Sequence, residues 1–291
     1  MLGLLATACT TMTAPPGAHS AMSTATAVAD PLASCPAQVD HSKLTAIAHV
    51  TGADDVAAQS DGSLWVSDAA GDTITHLSSA GDVLARVADP NTPEGLVALD
   101  DGRLLIAEQA ADRIVVLHLP STTRTTLVQL TPRAGMDGVD GLGFDAADRL
   151  LLVPDSAQGR LLTVGLGGGT PSLLASGLGR VVGAAVSPDG SFAVAAEANA
   201  GLTLIKPAGG AAEVIPGIAQ ADDVVASGPL LYVSSLTAHE ILAVDPASQH
   251  SQVLVNHVQM PQGIALLPSG RLAVTDSSSG TVVLVPACSG G

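Results

Sequence analysis

Carboxylates recur along this chain at nearly fixed intervals. Asp54, Glu94, Asp140 and Asp222 occupy one position of a repeating pattern, and the remaining two copies carry Val182 and Gln262 there. Successive positions lie 40, 46, 42, 40 and 40 residues apart. A second series, Asp68, Glu108, Asp155, Glu197, Ser235 and Asp276, closes a later apolar run in each copy. Carboxylates gathered at one place repel unless a cation, a shared proton or solvent offsets their charge. Hard oxygen donors suit Ca²⁺ or Mg²⁺ rather than soft metals. Two readings therefore stand side by side: a divalent cation held by Asp54, Glu94, Asp140 and Asp222, or a metal-free ring of solvated acids.

The elements that must position these residues follow from the repeat. Each copy holds short apolar, β-branched runs separated by turn pairs such as Asp61-Gly62, Asp101-Gly102, Asp189-Gly190 and Ser269-Gly270. Those are antiparallel strand signals, and about 40 residues with four short strands make one propeller blade. Six copies predict an all-β, six-bladed β-propeller over residues 41–291. The sixth copy lacks a fourth strand, whereas an unassigned apolar run, Leu44 to Val50, precedes the first. The N-terminal strand is therefore expected to complete the last blade and close the ring, which removes two open sheet edges. Cys288 would then follow the third strand of that blade and Cys35 would precede its fourth, so a disulfide between them is expected. First strands line the channel of a propeller, which places Asp54, Glu94, Asp140, Val182, Asp222 and Gln262 in one ring at a channel mouth. The second series should flank it on the same face, and the Asp-Gly turns should lie on the other.

Pro93-Glu94-Gly95-Leu96 and Pro261-Gln262-Gly263-Ile264 are each followed by a turn and a Leu-x-Ile/Val-x-Glu/Asp strand. These stretches resemble NHL repeats and the repeats of the gluconolactonase/regucalcin family of six-bladed propellers. The resemblance implies a channel Ca²⁺ and hydrolysis of a lactone or related ester, with Glu94 at the family's Glu-Gly position and Asp222 at its Asp. The family's asparagine ligands have no counterpart, since Asn91, Asn199 and Asn256 all fall away from the ring positions, and Asp140 or Asp54 would substitute. In such a hydrolase the ion would polarise the carbonyl and acidify a bound water, with Asp222, Asp140, His239 or His257 as base. The long interval after Glu94 marks an insertion, residues 131–138, whose Arg133 could orient an anionic substrate beside Gln262. The alternative is a non-catalytic propeller that uses the same face for a peptide, glycan or partner protein.

Composition excludes other classes. The formal net charge is −16, from 11 basic and 27 acidic residues, with no basic cluster. Phosphate contacts need Lys and Arg, so nucleic acid is not a partner. Gly165 to Gly169 falls between two strands and reads as a hairpin loop, not a phosphate cradle, and Gly-x-Ser-x-Gly, His-Glu-x-x-His and Cys-x-x-Cys are all missing. Residues 1–8 look like part of a lipoprotein signal that ends before Cys9, the lipidation candidate. Residues 9–40, rich in Ala, Thr, Ser and Pro, read as a flexible tether. The expected protein is an exported monomer of the cell envelope, held to a membrane only through that lipid.

Overall fold

Within every repeat an apolar run buried on both faces alternates with a turn, and the chain folds back on itself three times. In the computed structural model, which describes residues 30–198, 201–207 and 212–289, this produces six antiparallel sheets arranged as propeller blades. Blade 1 comprises Ala53–Ala58, Leu64–Asp68, Thr73–Leu77 and Val83–Ala88, from the channel outward. The innermost strands of blades 2 to 6 are Pro93–Leu99, Gly143–Asp145, Val181–Val186, Ala221–Ser227 and Pro261–Leu266. The six-bladed all-β architecture read from the repeat is the fold.

The apolar core is itself a ring, because each cluster sits between two neighbouring blades. Trp65, Ile74, Leu104 and Ile106 join blades 1 and 2, and Leu105, Ile114, Leu151 and Val153 join blades 2 and 3. The outer strand of blade 1, by contrast, is exposed along nearly its whole length. The last blade takes its fourth strand from the N-terminal side: Ala46–His49 pairs antiparallel with Thr281–Pro286, matching Ala46 to Val283 and His49 to Thr281. Cys35 and Cys288 form the expected disulfide. The turns at Asp61-Gly62, Asp101-Gly102 and Asp189-Gly190 place glycine at φ of 84°, 82° and 80°, and Gly165 to Gly169 connects two strands of blade 3.

Residues 30–40 depart from the tether expected there. Leu32 is buried in the cluster between blades 5 and 6. Val39–Asp40 adds a parallel fifth strand to the edge of blade 5, and the Gln252 amide donates to the Pro36 carbonyl at 3.1 Å. A single leucine, two strand residues and the disulfide hold a segment whose composition shows no periodicity. Residues 1–29, including Cys9, lie outside the described residues.

Candidate functional site

The register of the innermost strands builds the site in two layers. At the upper layer Asp54, Glu94, Asp140, Asp222 and Gln262 converge at one channel mouth. One residue deeper stand Asp55, Gly95, Gly141, Gly183, Asp223 and Gly263. The glycines are required by close approach: a Cβ on Gly141 would lie 2.1 Å from the Val182 carbonyl oxygen, and one on Gly95 2.5 Å from Gly141. Adjacent blades hydrogen-bond directly here, from Gly95 N to the Asp140 carbonyl at 3.1 Å and from Gly141 N to the Val182 carbonyl at 2.7 Å. Where the layer carries aspartate, the side chain makes the bridge. Asp55 accepts from Val56 N at 2.7 Å and from Leu96 N of blade 2 at 2.6 Å. Asp223 accepts from Val224 N at 2.7 Å and from Ile264 N of blade 6 at 2.8 Å. The channel therefore narrows to a waist, with a space of only ≈ 10 Å³ among these residues.

Above the waist, charge is offset by a guanidinium and by protons. Arg180 bonds Asp140 at 2.7 Å and Glu197 at 2.5 Å, and lies 3.8 Å from Asp137. The Gln109 amide also donates to Asp140 at 3.1 Å. Burial still outweighs Arg180 and raises the Asp140 carboxyl to about 7. Glu94 is held well above the usual carboxylate range by burial and by the charges of Asp54 and Asp140, and it shares a hydrogen bond with Asp54. That bond lowers Asp54, although burial leaves it raised overall. Asp222 is also pushed well up by burial and by Asp140 and Asp54. The Gln262 amide, turned so that its nitrogen faces the acid, donates to Asp222 at 2.8 and 3.3 Å. In the lower layer burial and the Asp223 charge raise Asp55, while burial brings Asp223 to about 6.

Two of the four calcium ligands that the resemblance implies, Asp140 and Asp222, already have partners in this structure. Hard oxygen donors are present, but Asp140 is bonded to Arg180 and Asp222 faces the Gln262 amide. Among the described residues no three His, Cys, Asp or Glu side chains are arranged to hold a metal ion.

The other candidates lie apart from the ring. His239 Nδ1 bonds the Gln259 carbonyl at 2.8 Å, and His257 Nδ1 bonds Asp40 at 2.9 Å. Arg133 is exposed and donates to the Ala157 carbonyl at 3.4 Å, so its segment reaches the ring through Asp137 instead. The second acidic series largely serves its own blades. Asp68 caps Gly71 N, Asp155 pairs with Arg160, Glu108 with Arg113, and Asp276 accepts from Met260 N and Ser278 N. Only Glu197 of that series joins the site, through Arg180. Sequence reasoning missed Arg180, Gln109, Asp55 and Asp223. The clue to the last two was the Asp-Asp-Val shared by blades 1 and 5.

No family model matches this chain, and no curated protein does. Solved structures do share its fold. A calcium-binding protein, regucalcin, from Agrobacterium tumefaciens is 14% identical with a TM-score of 0.70, over 84% of this chain and 94% of that one. A gluconolactonase from Xanthomonas campestris is 17% identical, TM-score 0.70, over 84% and 89%. A chain of a nidogen/laminin complex is 21% identical, TM-score 0.64, over 73% and 84%. At these identities the likeness extends to the propeller.

Proposed function

We propose that the protein is a hydrolase of a lactone or related ester that works at the ring mouth by carboxyl acid–base chemistry. The observation that supports this reading is the gathering of Asp54, Glu94, Asp140 and Asp222 at one mouth, where burial raises all four carboxyls and Arg180 bonds Asp140. Two acids with separated proton affinities can serve as base and acid in one step. Asp54 takes a proton from water as the water oxygen bonds to the carbonyl carbon, and Glu94 gives its proton to the carbonyl oxygen. Collapse breaks the acyl–oxygen bond as Asp54 gives its proton to the leaving alkoxide and Glu94 takes one back from the former carbonyl oxygen, which releases acid and alcohol and restores both carboxyls. Arg180, whose side chain is 27% exposed, favours the ionised form of Asp54 through its charge, and Gln262 holds Asp222 at the rim. Export fits a chain with a disulfide, and lipid attachment at Cys9 completes the reading.

The test is turnover of a lactone and ester panel by the purified protein, with and without EDTA or added Ca²⁺. Turnover that survives EDTA, and falls on the order of 10²-fold or more in Glu94→Gln and Asp54→Asn, is the expected result. Turnover that requires Ca²⁺ returns the ring to a cation site. No turnover from folded protein overturns the enzyme and leaves a binding propeller.

A further inference from the structure

Below the waist the channel opens again, toward the turn face, into a cavity of ≈ 470 Å³. Its wall is apolar: the partly exposed Phe144, Val225, Ala226 and Leu266 line it, and Val56, Leu96 and Ile264 reach it from the cores between the blades. Its closed end holds Asp55 and Asp223, both partly exposed, and Asp145 is the other ionisable residue in the lining. Among the described residues no Lys, Arg or His lines the cavity. Asp145 has its own task, accepting from Ala147 N and Asp148 N in a turn. Asp55 and Asp223 hold the blades together through one backbone N–H on each oxygen, which leaves further acceptor capacity on every oxygen. Two acids thus end an apolar shaft with no cation to meet them, on the far side of the waist from Arg180.

We propose that this cavity is a second binding site, for a small amphiphilic amine whose hydrocarbon body lies along the apolar wall and whose ammonium sits between Asp55 and Asp223. A primary ammonium offers three donors and no acceptor, and its charge would draw Asp55 and Asp223 into the ionised form that burial otherwise disfavours. Phe144 adds an aromatic face for the alkyl or cationic portion. The volume lies within the range of small-molecule pockets, and the mixture of apolar walls with a few convergent polar groups is their usual chemistry. A neutral alcohol of the same length meets the same wall but brings no charge to the acids.

Hexylammonium and 1-hexanol are the probes, titrated calorimetrically into the full chain. The expected result is one hexylammonium per protein, with 1-hexanol at least 10-fold weaker. Asp223→Asn should weaken hexylammonium 10-fold or more while leaving 1-hexanol unchanged. That variant also disturbs a blade contact, so Ala226→Phe, which fills the cavity from a wall position away from the acids, is the second variant and should abolish both. Equal affinity for amine and alcohol overturns the proposal. So does hexylammonium binding that persists in Ala226→Phe, which would place the amine at the ring mouth or on the acidic surface. Turnover at the ring mouth plays no part in this readout.

Discussion

Arg180 lies within 4 Å of three carboxylates, those of Asp140, Glu197 and Asp137. Removing its charge leaves partly buried acids facing one another, and breaking such pairs costs about 3 kcal/mol. Arg180→Met should therefore lower urea-unfolding stability by about that amount, and adding Asp140→Asn should recover part of it; an unchanged midpoint in the single variant refutes the role. The ring acids were legible because the repeat places them in register. Arg180 was not, since it stands two residues ahead of Val182, the one apolar ring position, where the pattern directs no attention. Asp55 and Asp223 were hidden for a different reason. The position they occupy is glycine in the other four blades, so it reads as a backbone requirement until the interblade hydrogen bonds are seen.

Among the elements, the innermost strands carry the tightest constraint. A methyl group at Gly141 meets backbone atoms of the next blade, which no rotamer change can move aside. Gly141→Ala should cost at least about 1–3 kcal/mol through overpacking. Gly167→Ala, where nothing lies within 4 Å of the added carbon, should stay within about 0.5 kcal/mol of the parent. Matched denaturant curves for the pair test this, and equal effects would mean that the waist is not close-packed. Strand number, blade number and the swap of the closing strand were all readable, because period-2 patterning and turn chemistry are local. The docking of residues 30–40 was not. It depends on Leu32 finding a gap between blades 5 and 6 and on a two-residue parallel pairing, neither of which leaves a periodic trace.

For the molecule as a whole, the buried acids set how stability follows pH. A carboxyl whose affinity for protons rises on folding keeps its proton where the unfolded chain has lost it. Stability from such groups is fullest near the unfolded value, about 4, and declines as pH climbs through the folded one. Asp89, which burial raises to about 6 despite Arg124 at 3.0 Å, Asp223 at about 6 and Asp140 at about 7 define that window. The exposed turn acids Asp61, Asp101 and Asp189, lowered by their Ser63, Arg103 and Ser191 partners, act oppositely and matter only below about pH 4. The net charge of −16 adds repulsion in the same alkaline direction. Calorimetry at constant ionic strength should show Tm falling from pH 5 to pH 8; a rise would contradict the assignment of buried protons. The Cys35–Cys288 bond has a mechanical consequence. Tension applied before Cys35 and after Cys288 passes through the two sulfurs and bypasses the chain between them, 253 positions of sequence separation. The blades would bear no load while the bond is intact. In a force-extension experiment with handles on either side, reduction should release a further length of about 900 Å, at roughly 3.5 Å per residue. A propeller held to a surface by its N-terminal segment and pulled from its C-terminus would thus keep its ring shape under strain, with the disulfide acting as a shunt.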